Sequence, residues 1–150
     1  MVGSAATCPH DGFGFTYNQF TRPHDVALAL QNDLAAVGNL SPAQRAASHF
    51  MELLILDGAE PLASYDHYAW ADYAAITRHE FGAGKAIYLG TMTGPELLRQ
   101  LLAITLQDAE LWDWSQDLAG TVSVRRGDNA AGRQITYFLN YPDEVRFPSP

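Results

Sequence analysis

Between positions 65 and 73 the chain places Tyr65, Asp66, His67, Tyr68, Trp70 and Tyr73. Such a set suits a site that handles sugars or hydrolyses them. Aromatic rings stack on the apolar face of a sugar, and Asp66 or His67 can bond its hydroxyls. The same rings serve equally as cross-strand pairs of a hairpin, or as half of a subunit contact, where Tyr and Trp are enriched. Residue types alone favour packing or interface.

Other chemistries find less support. A nucleophilic site needs Ser or Cys on an exposed turn beside a base. No G-x-S-x-G occurs, and Cys8, next to Pro9 and His10, gains nothing from adjacency in sequence. The histidines, His10, His24, His49, His67 and His79, include no H-E-x-x-H pair. His79 and Glu80 would point to opposite faces of a strand, as would Asp66 and His67. No metal site and no cofactor are therefore expected. Gly82-Ala83-Gly84-Lys85 joins two apparent strands, whereas a phosphate loop must open a helix, so a hairpin turn is expected there.

The elements that position these residues follow from periodicity and turn signals. Residues 13–21 alternate Phe13, Phe15 and Tyr17 with small or polar residues, a weak strand, and 25–30 reads as a short one. Ser41-Pro42 supplies an N-cap and a first-turn proline, which predicts a helix through "PAQRAASHFMELL"; "FMELLIL" reads equally well as a strand. Asp57-Gly58 marks a turn. Residues 61–66, 73–81 and 85–92 are strand-like, the last apolar on both faces as in a covered sheet. Thr93 with Glu96 has capping-box spacing, and Leu97, Leu98, Leu101, Leu102 and Leu106 predict a helix over 93–107 with one buried face. Beyond Gly120 two strands flank a polar loop, and residues 1–12 read as a loose end. A domain boundary is placed near 116–120.

Composition bounds the function. Of 150 residues 47% are hydrophobic and 17% charged, as in a globular chain of about one domain. Seventeen acidic residues against nine basic ones give a net charge of −8, with Lys85 the only lysine. That balance opposes binding to nucleic acid, and to anionic membranes, because both need cations to replace counterions. No apolar run approaches the ~20 residues of a membrane span. One cysteine admits no internal disulfide, which fits the cytoplasm.

The ordered motifs from Leu56 to Met92 carry a family resemblance. An acidic-Gly-Ala-Glu turn (Asp57 to Glu60), an Ala-x-Tyr strand (Ala63 to Tyr65), an aromatic loop, "AITR" (75–78) and "GAGKAIYLGT" (82–91) follow in order. This series resembles the segment after the catalytic barrel in β-galactosidases of glycoside hydrolase family 42. In place of the family's Gly-Lys-Gly, Ala83 stands where the first Lys would be. The resemblance extends over roughly 13–142. It implies an α/β fold, a partial flavodoxin-like sheet related to class I glutamine amidotransferases without their active site, then a β-hairpin from an antiparallel domain; the expected sheet is small, mixed or antiparallel-rich, with two helices. It implies residues 1–117 as an N-terminally incomplete trimerisation-like domain and 118–150 as the truncated start of the C-terminal β domain. It implies trimeric self-association and a catalytic barrel elsewhere in the parent protein. Retaining hydrolysis needs two carboxylates about 5–5.5 Å apart, and the barrel and its Asn-Glu dipeptide are missing from this sequence. No catalytic residue is carried over. The expectation is a non-catalytic oligomerisation module, with Tyr65 to Tyr73 as interface. The alternative is a carbohydrate-binding module with Tyr65, Trp70 and Tyr73 as its platform.

Overall fold

The computed structural model describes residues 12–36 and 38–140. Expectations for Cys8, for the loose end and for the proline-rich tail from Pro142 lie outside these residues. The chain divides into two compact units that part between Glu110 and Leu111.

The first unit is a seven-stranded sheet with helices. In chain order it holds β1 (Phe15–Thr21), β2 (Ala27–Leu30), α1 (Asn32–Ala36), β3 (Ser48–Leu56), β4 (Glu60–Asp66), β5 (Ala74–Phe81), β6 (Gly84–Leu89), β7 (Thr91–Met92) and α2 (Pro95–Asp108). The order across the sheet is β1-β3-β5-β4-β2, with β6 beside β5 and β7 beside β3. Every pairing is antiparallel. This corrects the flavodoxin-like expectation: short turns such as Gly82-Ala83 join neighbouring strands directly, and no parallel pair occurs among the described residues.

β3 and β5 meet at one register pair, Leu54 with Ala74, and then diverge. The strand β6–β7 fills the gap, arriving along β5 and leaving along β3. It changes partner at Gly90, whose N–H donates to Ala75 O (2.8 Å) while its carbonyl accepts from Glu52 N–H (2.7 Å). A Cβ there would sit 3.2 Å from both the Ala75 and Glu52 carbonyl oxygens, so glycine suits this vertex.

Two expectations about helices change. After Ser41 one turn forms, with Gln44 N–H bonded to Ser41 O and the Gln44 amide oxygen accepting from Ser41 N–H, both at 3.0 Å. The helix stops there because β2 takes the next backbone groups: Leu28 N–H binds Arg45 O and Ala47 N–H binds Val26 O, each at 2.8 Å. "FMELLIL" is strand β3. At α2 the N-cap is Gly94, without a side-chain cap, so the Thr93–Glu96 box does not form. Gly94 passes so near the Gln44 carbonyl that a Cβ would lie 2.9 Å from its oxygen. The buried face of α2 is Leu97, Leu101 and Ile104; Leu98 and Leu102 face outward.

The main core joins these helix residues and Leu34 to Met51, Leu53, Leu62 and Ile76 of the sheet. A smaller cluster of Phe15, Leu54 and Ala74, with Phe13 and Tyr88 against it, contains no helical residue. Layered domains cover a sheet in this way, and here the helices lie on one face.

The second unit is α3 (Trp114–Asp117) with the hairpin β8 (Ser123–Asp128) and β9 (Gln134–Leu139). The expected boundary at 117/118 falls behind α3, which packs with the hairpin. Asp113 caps α3 through Ser115 N–H (2.7 Å) and accepts from Arg126 (2.7 Å), whose guanidinium lies 4.6 Å from the Trp114 ring centroid. Bonds from Arg126 first, then from Ser115, hold the Asp113 carboxyl well below the usual range. Among the described residues no helix is long and apolar enough to cross a membrane.

Candidate functional site

The six residues singled out by type separate into different environments. Tyr65, on β4, is wholly buried. Its hydroxyl donates toward Glu52 O (2.9 Å) and Gly90 O (3.2 Å), the carbonyls at the vertex where the sheet splits. Burial, reinforced by the Glu52 charge, pushes its pKa above the ordinary tyrosine value. Asp66 ends the strand, exposed, 3.5 Å from Arg45, whose guanidinium also bonds Leu28 O.

The loop after it is a tight coil. Trp70 N–H binds His67 O and Tyr73 N–H binds Trp70 O, both at 3.0 Å, and Ala69 N–H donates to His67 Nδ1 at 3.2 Å. His67 stacks on Trp70 at 4.2 Å between centroids and touches Tyr68 at 4.5 Å. Trp70 and Tyr73 lean on the main core, and the Tyr73 hydroxyl accepts from Asn18 at 2.8 Å. Tyr68 is 95% exposed. Tyr65, Trp70 and Tyr73 therefore form no common platform: one is interior, one is stacked by its own histidine and one leans on the core with its hydroxyl bonded.

The charged residues gather elsewhere. Arg78 of β5, its side chain 10% exposed, pairs with Asp33 of α1 (2.8 Å), Glu60 of β4 (2.8 Å) and Asp108 of α2 (3.0 Å). Lys85 joins Asp108 at 3.2 Å. Burial disfavours the guanidinium's charge, but bonds to Glu60 and Asp33 and the nearby carboxylates outweigh it and raise its pKa. Carboxylates meet here around a cation, as in a structural tie, and not as the facing pair of a glycosidase. A hollow of about 490 Å³ beside Lys85 and Asp108 has no aromatic in its lining. Among the described residues no three His, Cys, Asp or Glu side chains are placed to hold a metal.

Against known proteins, residues 22–112 match the model of the β-galactosidase trimerisation domain. The chain belongs to that family. It is 33% identical over 97 residues to the β-galactosidase LacZ of Heyndrickxia coagulans, covering 64% of this chain and 14% of that protein. The fold resembles that of a β-galactosidase from Bacillus circulans sp. alkalophilus, with a TM-score of 0.66, 20% identity and coverage of 87% of this chain and 19% of that one. A second, from Rahnella sp. R3, gives 0.59, 21%, 78% and 17%. The chain thus spans less than a fifth of each of these relatives.

In this trimerisation domain the motif residues prove to be fixings of the fold. Arg78 of "AITR" ties four elements. Tyr88 donates to the Glu52 carboxylate at 2.6 Å, and burial followed by that bond pushes its pKa up to about 12. Gly90 is the vertex, and the Thr91 hydroxyl bonds Phe50 O at 2.6 Å. Sequence reasoning counted these residues among the family motifs but gave chemical weight to the aromatic loop alone. Arg78 offered one signal, a lone cation in a strand otherwise apolar from Ala74 to Ile76.

Proposed function

We propose that this domain is an assembly module of a β-galactosidase-like enzyme, holding copies of the enzyme together while hydrolysis takes place in another part of the protein. The match over 22–112 carries the reading. The geometry supports it, because motif residues and carboxylates alike are engaged in holding the fold. A trimer is the assembly proposed, and the cytoplasm its compartment, where a chain with one cysteine needs no disulfide. Of the loop residues, Tyr68 is the ring free to meet a partner. An amidotransferase-like sheet would need parallel strands, and the assembly proposed here needs none.

Light scattering with sedimentation velocity on the purified chain tests this. The expected result is a discrete species near three times the 16.4 kDa monomer, without hydrolysis of a chromogenic β-galactoside. A monomer at every concentration, or turnover lost on replacing a carboxylate of this chain, would refute it.

A further inference from the structure

Two buried polar atoms of β5 have no hydrogen-bond partner among the described residues, the Thr77 hydroxyl oxygen and His79 Nδ1. Thr77 is 1% exposed, and His79 is partly buried with its Nδ1 closed off from solvent. The residues stand two apart on one strand, so their side chains share a face of the sheet. Register sets Thr77 beside Tyr88 and His79 beside Ala86 of β6. Arg78, between them, points to the opposite face, where it meets its three carboxylates. Buried polar groups in folded proteins are nearly always bonded, and two orphans on one face need a common partner.

Backbone holds the imidazole in place. Gly14 (φ +63°) lies so near that a Cβ there would collide with the His79 ring and come within 2.8 Å of Ala59 N. Gly58 (φ +93°) flanks the same ring, and a Cβ there would sit 3.6 Å from its Cε1. Side chains rarely adopt either backbone conformation, so glycine fits both turns. The Gly14 carbonyl accepts from Asp57 N–H (2.8 Å) and Ala59 N–H (2.9 Å), which joins the two turns beside the ring. Both amides are thereby committed, and neither serves Nδ1.

We propose that Thr77 Oγ1 and His79 Nδ1 form a binding site for one internal water molecule, which bridges them and fixes the ring that the Gly14 and Gly58 turns clasp. Two strand steps separate the residues by roughly 6.7 Å, too far for parallel side chains to bond directly. A water making two bonds of about 2.8 Å spans about 5.6 Å, and side chains that lean along the strand close the remainder. Water also fits the chemistry, because it donates and accepts and so meets a hydroxyl and either tautomer of the imidazole. A metal ion does not fit: among the described residues no three His, Cys, Asp or Glu side chains are placed to hold one. The burial of Thr77 leaves no access for a larger organic ligand.

The sign of a stability change in the full chain tests this, at one protein concentration because association shifts apparent stability. Valine has the shape of threonine without its hydroxyl. With a bridging water in place, Thr77→Val breaks the bridge and is expected to lower the melting temperature by about 4 °C or more. A dry, unbonded hydroxyl gives the opposite sign: its removal leaves the melting temperature unchanged or raises it, and that result overturns the proposal. His79→Phe keeps a flat ring in the clasp and removes Nδ1. Either substitution alone destroys the bridge, so in the double variant the second is expected to add little; fully additive losses overturn the shared water. Should His79→Phe fail to fold, a high-resolution crystal structure of the parent chain decides. Density for one water at about 2.5–3.2 Å from both atoms is expected, and a dry pair or a direct Thr77–His79 bond overturns the site.

Discussion

Replacing Tyr65 with Phe removes one hydroxyl from the sheet's branch point and keeps the ring. The Gly90 carbonyl retains its bond from Glu52 N–H at 2.7 Å, so it stays satisfied. The Glu52 carbonyl loses its 2.9 Å donor in a partly buried setting. A buried hydrogen bond contributes about 1 kcal/mol net, and an acceptor left dry costs about 1–3 kcal/mol. The expected loss is therefore about 2 kcal/mol, which in a unit of this size lowers the melting temperature by roughly 8 °C. Urea unfolding followed by tryptophan fluorescence and by circular dichroism measures it, at fixed protein concentration because association shifts apparent stability. The midpoint should fall and the slope stay constant. A loss below about 0.5 kcal/mol, within the range of a neutral surface change, would refute the claim that this hydroxyl holds the branch together.

Arg78→Gln should cost about 2 kcal/mol in the same assay, less than for a fully buried pair because Asp33 and Glu60 are partly solvated. Arg78→Lys should recover little of it, since an ammonium cannot fork between three carboxylates. Alkaline titration should leave Tyr65 and Tyr88 protonated above the ordinary tyrosine pKa of about 10, as read by phenolate absorbance. The fold favours protonated Tyr88, whose pKa rises from 10.0 to about 12. Its contribution is intact below pH 10 and is lost as pH climbs toward 12, and Tyr88→Phe should flatten that part of the stability curve.

Much of the sheet was legible because its signals are local. The Gly82-Ala83 turn sits between two runs of strand pattern, and β5 and β6 pair as that pattern suggests. The polar loop beyond Asp128 likewise joins two paired strands. Errors arose where a distant segment competes for the same backbone. Ser41 carries good start chemistry, but bonds from Leu28 and Ala47 draw the chain into the sheet after one turn. Thr93 has the right spacing to Glu96, yet the approach of Gln44 moves the cap to Gly94. The five leucines of α2 fit one helical face by spacing, but an arc that wide exceeds what the sheet can cover, and two remain outside. For the aromatic loop, residue types could not separate Tyr65, held inside, from Tyr68, held out. Strand direction and the depth of the core decide that, and both come from pairings across the sheet.

The strand that changes partners at Gly90 also governs how the sheet opens. A sheet whose strands each keep one pair of neighbours can fray from an edge and leave the rest intact. Here Gly90 N–H is locked to Ala75 on one arm, and Glu52 N–H is locked to Gly90 on the other. Lifting the shared strand exposes both amides to solvent together, so they should exchange hydrogen at a common opening free energy. The arm along β5 and the arm along β3 are therefore expected to open together, a coupling read by hydrogen exchange at Gly90 and Glu52.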